Sequence, residues 1–368
     1  MAFVSVTLYL TVTNFLWGQL FRPQFFSISV PLIDICLPLL ATANLLNHLR
    51  RQQLKPHQQY FFYFLIYTFA NLILNIYLRH LNPIKPIFYF IRLSTLLSLF
   101  IWPINPQILN RKFYLFLNLI LISNIIVGLI QYFLWPDFRS FSAQGWDPHL
   151  YRLVSTFFDP TFTALIYLLL LIQNFISHPN YPLLFINYIA IALTYSRSSF
   201  LSFWVTSLIL STTTHRPKIF VTATILLGLT LLALPRLPGE GTKLERTSSI
   251  FAKIENYREG IALFAQSPLI GYGYNTLEQT RTIKPTSHAA NGFDNSILTI
   301  FVTTGLIGGI LFTTGLISLW LSSSLIFRLS LLAVLIHSLF ANSLLYPWIL
   351  FYLALISSPN KSTTKYHK

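Results

Sequence analysis

The chain has 368 residues, of which 54% are apolar and only 10% charged, with a mean hydropathy of +0.60. Soluble domains average roughly 45–50% apolar and about 25% charged, so a water-facing surface cannot be built from this inventory and a soluble globular protein is excluded. The formal net charge of +15 is distributed between long apolar runs rather than clustered on a soluble face, which removes nucleic acid as a partner and makes the basic residues reporters of membrane orientation.

A span needs about 20 mainly apolar residues. Runs of that kind lie near 2–20, 25–46, 59–78, 86–104 and 113–135. The first reads as a retained span, since it carries neither a basic n-region nor a clear small-residue cleavage site. After a polar segment at 136–160 come 161–177, 182–195, 198–214 and 218–234. A longer polar segment at 235–293 precedes 294–322, 329–344 and 346–358. The expected fold is all-α: a polytopic transmembrane helix bundle of about 12 spans, forming one integral membrane domain over residues 1–368. The pairs 182–214 and 329–358 have short halves, each readable as one broken helix or two tilted ones.

Orientation follows from charge. Under this span count Arg50, Arg51, Lys55, Arg111, Lys112, Arg216, Lys218, Arg328, Lys361, Lys365 and Lys368 share one side, which holds none of the ten acids. The positive-inside rule puts that side, and both termini, in the cytoplasm. The segments 136–160 and 235–293 then lie together on the outer face, where any chemistry is expected. No paired-acid DxD run and no phosphate-binding GxxxxGK[ST] loop occurs. Cys36 stands alone, so neither an internal disulfide nor a cysteine metal site can form.

Within the larger outer segment Ile250, Ile254, Tyr257, Ile261 and Phe264 recur at helical spacing. Ser248 or Ser249 is placed to cap that helix, and Pro268 follows its end. An amphipathic helix carrying Arg246, Lys253 and Arg258 would rest in the membrane interface or close off the bundle. Arg197, between two apolar runs at the outer boundary, suits bidentate phosphate binding or snorkels to the interface. Arg152 either pairs with Asp159 or binds an anion. Arg246, Arg258 and Arg281 are individually ordinary loop charges that together supply a positive field. His288 suits general-base work on a hydroxyl, while Asp294 with Asn295 is placed to cap a helix. Gly305 and Gly309 form a small-xxx-small pattern that points to close helix packing. His337 and Asn342 are polar groups inside an apolar run, read as bundle hydrogen bonds or cavity lining.

In order, these signals are RLVSTFFDPTFTAL, LTYSRSSFLSFW, YREGIALFAQSPLIGYGYNTL, FDNSILTIFVTTGLIGGILF and HSLFANSLLYPWILF. The set resembles the superfamily of O-antigen ligases and O-antigen polymerases over roughly residues 150–358, while residues 1–149 match only as apolar spans. The resemblance implies a GT-C-like bundle in the bacterial cytoplasmic (inner) membrane. It implies transfer of a glycan from a polyprenyl-diphosphate carrier to a hydroxyl of a glycan or lipid-glycan acceptor. The reaction expected is inverting, metal-independent and cofactor-free. Arg197 matches the family's serine-arginine position, and Arg152 the arginine before the asparagine/aspartate-proline segment; with loop arginines such as Arg258 or Arg281 they would hold the diphosphate. The family's re-entering helix often starts His-Asn, whereas this chain has Asp294-Asn295, which leaves the base between His288 and Asp294. The alternative class, a lipid-linked glycan transporter or flippase, predicts matched halves and charges deep in several spans.

Overall fold

The computed structural model describes residues 2–25, 28–48, 53–144, 146–177, 179–281 and 292–357. Along these, the chain forms α1 (Ala2–Trp17), α2 (Ile33–His48), α3 (Pro56–Arg79), α4 (Ile84–Ile101), α5 (Arg111–Leu134), α6 (Pro160–Ser177) and α7 (Tyr181–Leu193). It continues with α8 (Arg197–Thr214), α9 (Pro217–Ala233), α10 (Ser248–Gln266), the short α11 (Leu277–Thr280), α12 (Ser296–Ser322), α13 (Leu325–His337) and α14 (Pro347–Ser357). A two-residue pairing of Gln24–Phe25 with Ile28–Ser29 in the α1–α2 turn is the only sheet among the described residues.

Every apolar run read from the sequence falls on a helix. Five of them, α3, α4, α5, α6 and α12, are long and apolar enough to cross a membrane. Helices α1, α7, α9, α13 and α14 are apolar but shorter; α2 carries Asp34 and an internal Pro38, and α8 is rich in serine and threonine. The two ambiguous pairs each resolve into separate helices, α7 and α8 parting at Thr194–Ser196 and α13 and α14 at Ser338–Tyr346.

Burial sorts the helices. Nearly all of α14 and most of α6 are enclosed, as expected of helices apolar all round at the centre of a bundle. On α9 only Ala223 is buried, so that helix is peripheral. Large apolar side chains such as Phe3, Tyr77, Phe133 and Leu232 are exposed on the outside, the surface a lipid environment requires.

Helix connections alternate between two ends. At one end Gln19 N donates to Thr156 O (2.8 Å), Leu153 N to Leu193 O (2.9 Å) and Ser296 N to Ser338 O (3.2 Å). At the other Asn44 donates to Trp102 O, Tyr114 Oη to Leu355 O at 3.1 Å and Gln173 to Asn118 at 3.4 Å. The two long polar segments meet at the first end, where Gly241 packs on the Arg152 side chain.

Helix α12 is not continuous, and here the packing expectation for the small-xxx-small pattern is corrected. Gly305 sits at φ 65°, ψ −171° inside it, a conformation essentially restricted to glycine. Residues 268–273 lie along the break: Tyr272 N donates to Val302 O (3.1 Å), Gly273 N to Thr303 O (2.8 Å) and Leu306 N to Pro268 O (2.7 Å). The backbone groups freed by the kink are thus satisfied by protein, the condition for breaking a helix at membrane depth. Gly305 faces a loop backbone, not a neighbouring helix.

Candidate functional site

The turn between α7 and α8 brings Arg197 to the first end. Tyr195 takes a left-handed conformation (φ 54°), and Ser196 caps α8 by accepting from Ser199 N at 3.4 Å. Side chains at a helix start lean toward its N-terminus, so Arg197 reaches out to the 235–247 segment. Its guanidinium donates to Arg246 O (2.8 Å), Leu244 O (3.2 Å) and Ser249 Oγ (2.5 Å). Ser249 therefore receives Arg197 instead of capping α10, whose N-cap residue is Thr247.

Arg152 lies beside it, 7% exposed, its Nε donating to Thr194 O at 2.8 Å. The pairing with Asp159 is not found: Asp159 Oδ1 instead accepts from Thr161 N (2.6 Å) and Phe162 N (3.2 Å) at the start of α6. Arg246 turns back on its own loop, donating to Gly241 O and Glu240 O. None of these three guanidiniums forms an ion pair among the described residues. Burial, then the neighbouring Arg246 and Arg197 charges, push Arg152 down to about 9, with Asp159 and Asp147 acting the other way. Burial and Arg197 lower Arg246 as well. Three mutually repelling cations held by backbone carbonyls, two of them depressed by burial and one another, make a site whose charge calls for a polyanion.

Next to it runs a second polar line. Lys253 on α10 points inward, pairing with Asp294 at 3.1 Å and donating to Phe340 O, so it does not rest in the interface. Asn256 Oδ1 accepts from Asp294 N (2.7 Å). Asn295 caps α12 by accepting from Leu298 N (3.0 Å) and also donates to Tyr257 Oη (2.7 Å). Replacing Asn295 with alanine removes both bonds, about 1 kcal/mol for the cap and a similar amount for the second. A clear drop in the thermal midpoint of the detergent-solubilised protein is expected, and an unchanged midpoint would remove the cap from this account.

The remaining predicted residues divide. Arg281 is enclosed, with its Nε 3.2 Å from Glu259 and its guanidinium 4.2 Å above the Phe293 ring; burial lowers it while Glu259 and Asp294 raise it. It therefore flanks Asp294 and not the arginine cluster. Arg258 pairs with Glu255 at 2.6 Å on the solvent side of α10, 72% exposed, and does not converge with the others. His288 lies outside the described residues. Two groups were not singled out as a pair by sequence reasoning. Ser198 Oγ sits 2.9 Å from His337 Nε2, whose Nδ1 is 2.5 Å from Ser343 Oγ. This buried chain ties the residue after Arg197 to the end of α13, and the serine at 198 gave no sequence signal beyond its neighbour.

Between α10 and the first turns of α12 a groove of about 350 Å³ is lined by Tyr257, Ile261, Phe264, Asn295, Leu298 and Phe301. Its polar end is the Asn295–Tyr257 contact, and the rest is apolar. Exposed Ile250, Phe251, Ile254 and Ile261 continue the apolar surface along α10.

Residues 182–313, which run from α7 through the kink of α12, match the family described as O-antigen ligase. This segment is similar to the O-antigen ligase family. It contains Arg197, Arg246, Lys253, Arg258, Arg281, His288 and Asp294, whereas Arg152 and His337 are brought to it from outside by α5–α6 and α13. No curated protein matches the chain.

Proposed function

We propose that this protein transfers a glycan from a polyprenyl-diphosphate carrier to a hydroxyl of a glycan or lipid-glycan acceptor, at the outer face of a bacterial cytoplasmic membrane. The observation that carries this reading is the unpaired Arg152–Arg197–Arg246 cluster. A diphosphate leaving group develops negative charge as its glycosidic bond breaks, and preorganised cations aimed at that charge are usually the largest catalytic contribution. Positively charged side chains doing this work suit an inverting, metal-independent displacement. In this reading all twelve apolar helices span the bilayer in a GT-C-like bundle, and both termini are cytoplasmic because the acid-free basic side faces inward. The large outer segment, 235–293, supplies the loop and amphipathic helix over the site.

The base remains a choice between two groups. Asp294 lies at the start of α12 beside Lys253 and within electrostatic reach of Arg281; in this reading its carboxylate, or His288, deprotonates the acceptor hydroxyl. The apolar groove beside Asn295 suits the prenyl chain, since it leads from the exposed face of α10 toward the charged end. A transporter would share a charged pair inside the bundle, Asp34 with Arg92, but the concentration of cations at one end favours transfer.

Two measurements test the proposal on full-length protein. Inorganic diphosphate should raise the thermal midpoint, since a ligand at 100 times its Kd stabilises by about 2.7 kcal/mol, and Arg152→Gln should at least halve that shift. Proteoliposomes loaded with a lipid-linked glycan and an acceptor should yield lengthened or conjugated product. Movement of the glycan lipid across the bilayer with no new glycosidic bond would replace transfer by transport.

A further inference from the structure

Arg152 enters the cation cluster from a loop and not from a helix, so its direction must be fixed from outside that loop. Residues 152–157, between α5 and α6, are all buried. A buried loop has no water for its backbone, and each N–H and C=O there needs a protein partner. The loop is also held in unusual conformations, with Tyr151 (φ 54°) and Ser155 (φ 49°) both left-handed. Non-glycine residues persist in that region only where the surroundings over-determine them.

One side chain on α5 supplies three bonds to this loop. Gln131, 9% exposed, accepts through Oε1 from Val154 N (2.9 Å) and Ser155 N (3.3 Å). Its Nε2 donates to Arg152 O (3.4 Å) and to Trp135 O (3.1 Å) at the end of its own helix. A carboxylate in its place would lack the donors, and an ammonium the acceptor. One turn earlier Gly128 leaves room for the loop: a Cβ there would lie 2.8 Å from Leu153 Cδ2 and 3.1 Å from Ser155 Cβ. A further turn back, Asn124 donates to Thr156 Oγ1 (2.7 Å) and accepts from Ser155 Oγ (3.0 Å). Asn124, Gly128 and Gln131 share one face of α5 by their spacing. From the backbone held there, the Arg152 side chain runs past Gly241 to Thr194 O, 2.8 Å from its Nε. This face of α5 lies outside residues 182–313, the segment similar to the O-antigen ligase family.

We propose that Gln131 is a positioning residue of the anion site: by holding Arg152 O, Val154 N and Ser155 N it fixes the stance from which the Arg152 guanidinium reaches the cluster. Without these bonds the left-handed backbone relaxes and carries the Arg152 Cα with it. The bearing of Gln131 on glycan transfer rests on the reading above; its hold on the loop does not.

The test titrates inorganic diphosphate against full-length protein in detergent, with affinity taken from thermal midpoints referred to each variant's own unliganded value. Gln131→Leu should weaken diphosphate binding about fivefold, the scale of one lost hydrogen bond. In the Arg152→Gln background the same substitution should change affinity by less than about twofold, because a residue that acts through Arg152 then has nothing to act on. Gln173→Leu removes a buried amide at the opposite end of the bundle. It should lower the midpoint and leave the affinity within about twofold of wild type. Hydrogen exchange in a peptide spanning 151–157 should accelerate about tenfold in Gln131→Leu. Gly128→Ala keeps every hydrogen-bonding side chain and pushes on the same loop. It should move both readouts in the same direction, and serves if Gln131→Leu does not fold. Wild-type affinity in the α5 variants, equal weakening in both backgrounds, or unchanged exchange at 151–157 overturns the positioning role. A wild type without a diphosphate shift, its 151–157 exchange still sensitive to Gln131, overturns the transfer reading alone.

Discussion

Replacing Arg197 with alanine is expected to reduce glycan transfer by about 10²–10³-fold, the loss typical of removing one preorganised charge-stabilising donor, with lipid-linked glycan accumulating in the membrane. In the structure Arg197 anchors residues 244–249 through three hydrogen bonds, and in the proposed reading it also presents its guanidinium to the diphosphate. The two can be separated. Arg197→Lys keeps the charge but loses the planar fork, so it should retain part of the diphosphate thermal shift while the loop contacts fall away. Ser249→Ala removes one loop contact and leaves the guanidinium in place, so its transfer rate should stay within a few-fold of wild type. If Arg197→Ala transfers glycan at the wild-type rate, the cluster is not the leaving-group site.

Alanine at Gly305 is the change expected to harm stability most. A Cβ there would overlap the Leu269 carbonyl, and the backbone at φ 65°, ψ −171° is essentially closed to side-chain-bearing residues. Conformational strain of about 1–3 kcal/mol and a steric cost of similar size for pushing the 268–273 segment away should together remove much of the marginal stability of the fold. The Gly271 side of the contact is equally tight: a Cβ on Gly271 would lie 2.6 Å from both Gly305 N and Val302 O. Gly308→Ala is a useful comparison, since its Cβ would meet mainly the side chains of Thr304 and Tyr67. Thermal unfolding followed by size-exclusion fluorescence should rank Gly305→Ala well below Gly308→Ala. Equal midpoints would show that the kink can close.

The order of apolar runs, the gathering of both polar segments at one end and the presence of cations there were legible in the sequence, because each depends on local composition. Hydrophobic length fixes which segments become helices, and connection parity fixes which loops share an end. The helical period of α10 was legible from Ile250, Ile254, Tyr257, Ile261 and Phe264, but Ile250, Ile254 and Ile261 are exposed, and the inward line instead carries Ser249 and Lys253. What spacing did not reveal is which way that face turns. In water the apolar stripe of a helix faces the core, but in lipid both the core side and the outer side are apolar, so hydrophobicity no longer assigns direction. Only packing shows that Lys253 points inward to Asp294 while Arg258, five residues on, faces out beside Glu255.

The same reason separates the arginines. Arg152, Arg197 and Arg246 come from three separate stretches of chain and are joined by hydrogen bonds to backbone carbonyls, a kind of contact that side-chain identity does not encode. Arg281 carries the same chemical group and is drawn instead to Glu259 and Phe293. The break at Gly305 depends on a loop that passes within contact distance of it, so the glycine alone reads as a packing residue. The sequence by itself determined that this is a helical membrane protein with cations in the polar segments that gather at one end of the bundle. The tertiary structure decided which cations converge, because their positions are set by long-range backbone contacts that no periodicity in the chain records.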